Sequence, residues 1–240
     1  MGMPVSVAIV GASSARLHED AFAYFESVDR RFSTYRDDSE ISAINAGRVA
    51  LRAVSADMAD VLGIAERTRL ETDGYFDIRS PSGRLDPSGI VKGWAVRNAA
   101  ARLAAAGTRD FFVDAGGDVA SAGLNESGEA WRVGIRNPFA ETEIVKVIIP
   151  HGAGVATSGN YVRGAHIWNP HAPDRPPEEI VSLTVIAADV LEADRFATAA
   201  FAMGREGIRF IERRNGCEGY AIDRDGVATM TSGLDRYLPS

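Results

Sequence analysis

The segment "EADRFATAAFAM", residues 192–203, constrains the fold more than any other stretch of the chain. From Phe196 to Met203 its only polar residue is Thr198. A helix that is apolar around its whole circumference has to be covered on every side, so it belongs inside a layered structure. Asp194 and Thr198 stand one turn apart and share a face. A carboxylate and a hydroxyl on a buried helix are costly unless something pairs with them. Two readings are open. In one, a local hydrogen bond satisfies both groups, and Thr198 can also bond back to the carbonyl of residue 194. In the other, the pair holds a hard cation. Backbone carbonyls and phosphate oxygens would complete such a site, as suits Mg²⁺.

The remaining segments supply the covering layers. "PVSVAIVG" (4–11) alternates and reads as a strand, and 15–32 has helical periodicity with Leu17, Ala21, Tyr24, Phe25 and Val28 on one side. Ser13 or Ser14 is a plausible cap for that helix. Residues 33–47 read as polar and turn-rich, and 55–72 as a second helix. The stretch 74–89 reads as loop with one short strand. A helix follows from about Lys92, stopped by Gly107. "DFFVDAGGDVASAG" (110–123) reads as strand, Gly-Gly turn, strand. Residues 130–138 and 143–150 read as two more strands, and 154–170 as strand mixed with turn. A Pro-rich loop (171–179) precedes a strand over 180–188, the apolar helix at about 193–203 and a short helix over 206–216. A final hairpin (218–233) turns at Asp225-Gly226. Helices mixed with β-hairpins, without a repeating βαβ pattern, predict an α+β fold with antiparallel hairpins. No composition shift marks a boundary, so 1–240 reads as a single domain with room for two closely packed lobes.

The chain has 240 residues, 45% hydrophobic and 25% charged, enough for a sizeable core. A net charge of −7 argues against nucleic acid as a partner, though not against a phosphate-bearing small molecule bound locally. A single cysteine, Cys217, rules out an intrachain disulfide or a Cys-based metal site, and reads as a buried thiol. The opening "MGMPVSVAIVG" has no basic run and too short an apolar one for a signal peptide, and no lipobox is found. No apolar stretch is long enough to span a membrane. As written the chain reads as cytoplasmic; removal of an export signal would leave the same sequence from a periplasmic or extracytoplasmic protein.

The common nucleotide and hydrolase fingerprints are missing: no Walker loop, no strand-led G-x-G-x-x-G, no H-E-x-x-H and no G-x-S-x-G. Four other stretches stand out. "DAGGD" sets Asp114 and Asp118 around Gly116 and Gly117, either a tight turn or a place where backbone N–H groups approach an anion or flat ring. "ATSGNY" (156–161) offers Thr157, Ser158 and the Gly159 backbone, either a hairpin turn or a phosphate cradle. "SGIVKGW" (88–94) puts Lys92 at a helix start, where it opposes the helix dipole unless solvated or near an anion. "RFSTYRDDSEISAIN" (31–45) embeds Phe32 and Tyr35 in polar sequence.

Taken in order, these stretches resemble the ApbE family of flavin transferases. "MGMPVSV", "FSTYRDDSEISAIN", "GYFDI", "DPSGIVKGWAV", "DAGGDV", "ATSGNYVR…HIWNP" and "ADRFATAAFAMG" each resemble a family motif, in the family's order and over nearly the whole chain. The resemblance implies a T-fold-like α+β architecture. It implies a Mg²⁺-dependent FAD:protein FMN transferase, with Mn²⁺ as the other candidate metal. Such an enzyme cleaves FAD between its phosphates, joins FMN to a Thr or Ser of a target protein, and releases AMP. Carried over, the metal ligands are Asp194, Thr198 and a main-chain carbonyl near Val91. Ser158 and Gly159 would hydrogen-bond the phosphates, and His166 would accept the hydroxyl proton, its unperturbed pKa lying near neutrality. Tyr35 would offer an aromatic surface to a FAD ring, and Glu40 and Asn45 would order that loop or the nucleotide. Gly116 and Gly117 would admit the flavin or ribose, with Asp118 as acceptor. Lys92 and Asp77 are further candidates. The implied partner carries a D-G-x-S/T-G-A-T-like stretch. The loop after His166 departs from the family: Asn169 stands for Asp, and Ala172-Pro173 for Thr-Gly. Two alternatives remain: a FAD pyrophosphatase giving free FMN and AMP, and a non-catalytic flavin-binding protein.

Overall fold

The computed structural model describes residues 3–11, 15–160, 167–175 and 177–239. Its centre is a seven-stranded, wholly antiparallel sheet. The strands are β1 (Val5–Ile9), β2 (Phe111–Ala115), β3 (Asp118–Ala122), β6 (Gly154–Gly159), β7 (Ile180–Ala187), β8 (Glu218–Asp223) and β9 (Ala228–Met230), lying side by side in that order. Between β3 and β6 in sequence, β4 (Val133–Asn137) and β5 (Ala140–Ile148) form a separate two-stranded hairpin. Six helices complete the fold: α1 (Ala15–Phe32), α2 (Glu40–Asn45), α3 (Ala56–Glu71), α4 (Ser88–Ala105), α5 (Val190–Ala202) and α6 (Glu206–Glu212).

Strand alternation sorts the two faces. On β7, Leu183, Val185 and Ala187 pack with Phe196, Ala197 and Phe201 of α5. The intervening Ile186 packs with Val133, Ile135 and Ile148 of the β4–β5 hairpin. Covering on both sides explains why "IVSLTVIA" is apolar nearly throughout instead of alternating. A further core joins α1 to α4 with β2 through Phe25, Val28, Phe32, Trp94 and Val113. The apolar helix foreseen around 193–203 is α5, buried between sheet and α4, with Asp189 capping it through the Leu191 and Glu192 amides. The α+β, antiparallel expectation therefore holds.

Three local expectations need correcting. The polar stretch 33–47 contains α2, capped by the Ser39 hydroxyl on the Ser42 amide at 3.1 Å. The described part of "ATSGNY" as far as Gly159 is strand, not a hairpin turn: Gly154–Gly159 is a central strand paired with β7 from Gly154↔Ala187 to Gly159↔Ser182, and Tyr161 lies outside the described residues. Helix α4 starts at Ser88, a turn before Lys92, because the Pro87 carbonyl accepts the Ile90 and Val91 amides. Ser13 and Ser14 lie outside the described residues. Among the described residues no helix is long and apolar enough to cross a membrane.

Cys217, just before β8, is buried, and that burial pushes its thiol up to about 11 against the opposing pull of Arg214. A thiolate then forms only far above neutral pH, and the thiolate is the nucleophile. Iodoacetamide at neutral pH is expected to leave the native protein unlabelled while labelling it fully in denaturant, read by intact mass. Equal labelling rates would contradict the buried assignment.

Candidate active site

The site grows from the crossing of α4 and α5. Gly89 and Gly93 stand one turn apart on α4 and face α5. A Cβ on Gly93 would lie 2.6 Å from Asp194 Cβ and 2.8 Å from the Val190 carbonyl oxygen. One on Gly89 would lie 3.1 Å from Thr198 Cγ2. The helices thus touch with almost no side chain between them, and the Gly93 amide donates to Asp194 Oδ2 at 2.7 Å.

Lys92 turns the other way, into the sheet. Its Nζ lies 2.7 Å from Asp118 Oδ1 and 3.8 Å from Asp194 Oδ1. Lys92 is 5% exposed, Asp194 2% and Asp118 fully buried. Burial foremost, then repulsion from Asp194, holds the Asp118 carboxyl well above the usual carboxylate range, with Lys92 pulling the other way. Lys92 thus bridges two buried carboxyl groups, Asp118 on β3 and Asp194 on α5. The solvated first-turn lysine considered from sequence is thereby replaced by a buried ion pair.

On the open side of Asp194, Thr198 is half-buried, and its Oγ1 lies 3.4 Å from Ser158 Oγ on β6. Both residues line a cavity of about 550 Å³, a size typical of cofactor pockets. The cavity exists because β3 and β6 pair only through Val119↔Val155. Past that point β6 is paired only on its β7 side, so Thr157 on one face of it and Ser158 on the other both reach the cavity. Gly116 and Gly117 form the wall opposite, as the two-residue turn of the β2–β3 hairpin. Both have positive φ, +62° and +95°, as a type I′ turn requires, and the Gly117 amide donates to Asp114 Oδ1 at 2.8 Å.

The other sequence candidates divide. Lys92, Asp77, Asp194, Thr198, Ser158, Gly159, Gly116 and Gly117 all line the cavity. Tyr35 does not: it is 96% exposed in the turn between α1 and α2 and offers no surface to a ring in the cavity. Glu40 accepts from the Ser55 amide and hydroxyl, both at 2.6 Å, so it anchors the start of α3 and not a nucleotide. Asn45 pairs with the Leu85 amide and carbonyl and orders that loop. Asp118 sits behind Lys92, away from the cavity wall. Val91 is buried inside α4 and does not line the cavity, although Gly89 beside it does. His166 lies outside the described residues.

Sequence reasoning missed the aromatic walls. Tyr75, Phe112 and Trp168 line the cavity, with the Tyr75 ring centroid 4.4 Å from that of His171. It also missed Arg132 and Arg136 of the β4 wall. Tyr75 and Trp168 sit inside the stretches "GYFDI" and "HIWNP", which did flag their neighbourhood; nothing local marks Phe112 or the two arginines.

A divalent cation fits the cluster. Among the described residues no group of three or more His, Cys, Asp or Glu is placed to hold a metal unaided. One carboxylate and hydroxyls beside a cavity, completed by phosphate oxygens and water, is the usual donor set of Mg²⁺.

Helix α5 is fixed from behind by Arg195, which bonds Glu192 at 2.8 and 2.7 Å, pairs with Glu71 of α3, and stacks on Phe196. Arg214 covers the same ring and reaches Glu71 at 3.2 Å. Arg195→Met is expected to cost about 1.5–3 kcal/mol, the worth of a hydrogen bond to a charged group, since Glu71 and Glu192 stay partly hydrated. A thermal melt reads it; an unchanged midpoint would show the network to be decorative.

Comparison with known proteins identifies the family and the fold. A family model described as "ApbE family" matches residues 1–82 and 79–221. The FAD:protein FMN transferase of Salmonella typhimurium is 26% identical over 96% of this chain and 84% of its own length. That of Escherichia coli is 26% identical over 91% and 80%. The solved flavin transferase ApbE from Vibrio cholerae superposes with a TM-score of 0.86 at 26% identity, over 99% of this chain and 96% of that one. The ApbE protein of Thermotoga maritima, 20% identical over 100% of this chain and 97% of that one, shares the fold with a TM-score of 0.87.

Proposed function

This chain belongs to the ApbE family, and on that premise we propose that it is a FAD:protein FMN transferase. The acceptor is a Ser or Thr hydroxyl of another protein. Its oxygen forms a bond to the FMN-side phosphorus of FAD as the bond from that phosphorus to the bridging oxygen breaks. AMP leaves with the bridging oxygen, and the hydroxyl proton passes to a base.

The observation that carries the reading is the open face of the α4–α5 crossing. Asp194, Thr198 and Ser158 line one cavity together, the Ser158 and Thr198 hydroxyls 3.4 Å apart, with Lys92 and Asp118 behind Asp194. When bound there, Mg²⁺ would neutralise the charge that develops on the diphosphate. Asp194 and Thr198 would hold that cation; Val91, buried inside α4 and away from the cavity, is not among its donors. Ser158 and the Gly159 amide donate toward phosphate oxygens. Lys92, fixed by Asp118, lies 3.8 Å from Asp194 Oδ1 and supports that side chain from behind the cavity. Tyr75, Phe112 and Trp168 supply flat apolar surface for the flavin or adenine, and the Gly116–Gly117 turn lets backbone approach it. His166 stays the proposed proton acceptor on the strength of its motif.

The test is an incubation with FAD, Mg²⁺ and a peptide bearing a D-G-x-S/T-G-A-T-like stretch. Peptide gaining the mass of FMN, with AMP released and EDTA stopping both, supports the proposal. FMN and AMP released without a gain in peptide mass would replace it with a pyrophosphatase. His166→Ala is expected to bind FAD normally, by flavin fluorescence quenching, and to slow transfer about 10²–10⁴-fold, the range for a general base. Lost FAD binding would contradict the base role.

A further inference from the structure

The β4 strand meets the cavity in an unusual way. Arg132, Val133, Gly134, Ile135 and Arg136 all line it. Successive side chains of a strand point to opposite faces, so a cavity that touched one face would meet alternate residues only. Contact with four strand residues in a row, Val133 to Arg136, and with Arg132 just before them, means that the cavity runs along the strand's edge. The other edge of β4 is taken by β5, its sole partner in the two-stranded sheet. Among the described residues the cavity-side edge pairs with no strand. Every second residue there directs its amide and carbonyl into the cavity. A free edge is a template for another extended chain.

We propose that this edge docks the acceptor: an extended segment of the target protein, carrying the Ser or Thr and an acidic side chain, adds to β4 as a third strand. The inference rests on the transferase reading and deepens it. Charge argues for this occupant. Val133 and Ile135 face the core, so Arg132, Gly134 and Arg136 share the outer face. Arg132 has only a 3.9 Å contact with Glu129, and the Arg136 side chain makes no ion pair or hydrogen bond among the described residues. Two cations on an exposed strand of a chain with net charge −7 make a local positive patch, suited to an acidic segment. The register shift between Ile135 and Arg136, from Ile135↔Lys146 to Arg136↔Ile144, puts the extra residue on β5, the partner strand, and not on the cavity-side edge. Main-chain pairing would hold many sequences, while the arginines select acidic ones.

The probe is a short fluorescent acidic peptide containing one threonine, added to the FAD-loaded protein, with two backbone-modified versions. One carries N-methyl groups on odd residues, the other on even residues. Strand addition needs the amides of only one parity. One version is therefore expected to lose binding roughly tenfold or more, the scale of one lost hydrogen bond to a fixed partner, while the other binds like the parent. Arg136→Glu is expected to weaken the acidic peptide similarly and to bind a lysine-substituted peptide better. Equal loss with both parities, no loss with either, or no peptide binding at all overturns the inference. Weaker FAD binding in Arg136→Glu also overturns it, assigning the strand to the nucleotide. Parity-dependent binding without FMN transfer keeps the docking edge and overturns the transferase reading instead.

Discussion

Asp194→Ala is expected to abolish metal-dependent FAD turnover, by a factor on the order of 10³ or more, matching the loss of a principal charge-stabilising group. The protein should still fold. Asp194 is held by the Gly93 amide and lies 3.8 Å from Lys92, but the closer partner of Lys92 is Asp118, at 2.7 Å. Removing Asp194 therefore leaves the closer Lys92–Asp118 pair in place. A cooperative melt near the wild-type midpoint, with turnover gone by nucleotide chromatography, is the expected pairing. Retained turnover would remove Asp194 from the chemistry.

Lys92→Met has the opposite signature. It leaves Asp118 and Asp194 side by side in a buried site with no cation. Breaking a buried ion pair from one side costs about 3–5 kcal/mol. In a domain of this size that lowers the melting midpoint by on the order of 10 °C. Adding Asp118→Asn removes the stranded charge and is expected to restore much of the loss, because an uncharged amide needs no counterion. A single variant as stable as wild type, or a double variant no better than the single, would show that the pair does not hold this region together.

What could be read from the sequence follows from locality. The Asp194–Thr198 pair is one helical turn in an otherwise apolar helix, and a Gly-Gly dipeptide between two apolar strands announces its own hairpin. The helix that carries the pair and the Gly-Gly hairpin both stand in the structure as read. The Lys92–Asp118 pair joins a helix to a strand far along the chain, and no periodicity announces it; from sequence alone a lysine in an early helical turn looks solvated. Tyr35 shows the reverse error. An aromatic residue amid polar sequence suggested a ring platform, yet the turn that carries it, fastened by Arg36 to Asp38 at 2.8 Å, points it to water. Ser158 was legible as a candidate, but its setting was not. A short apolar segment ending in Thr-Ser-Gly reads as a turn until its pairing with β7 is known, and that pairing depends on residues well beyond any local window. The β4 edge was legible in no way at all, because an edge is defined by which strand fails to arrive.

The account centres on a cation held by Asp194 and Thr198 against the FAD diphosphate. The most direct test is calorimetric titration of Mg²⁺ into the FAD-saturated protein, repeated with Asp194→Asn and with Thr198→Val. The expected result is a single Mg²⁺ site per chain that depends on FAD, lost in Asp194→Asn and weakened in Thr198→Val. Binding that is unchanged in both variants, or indifferent to FAD, would place the metal elsewhere and contradict the account.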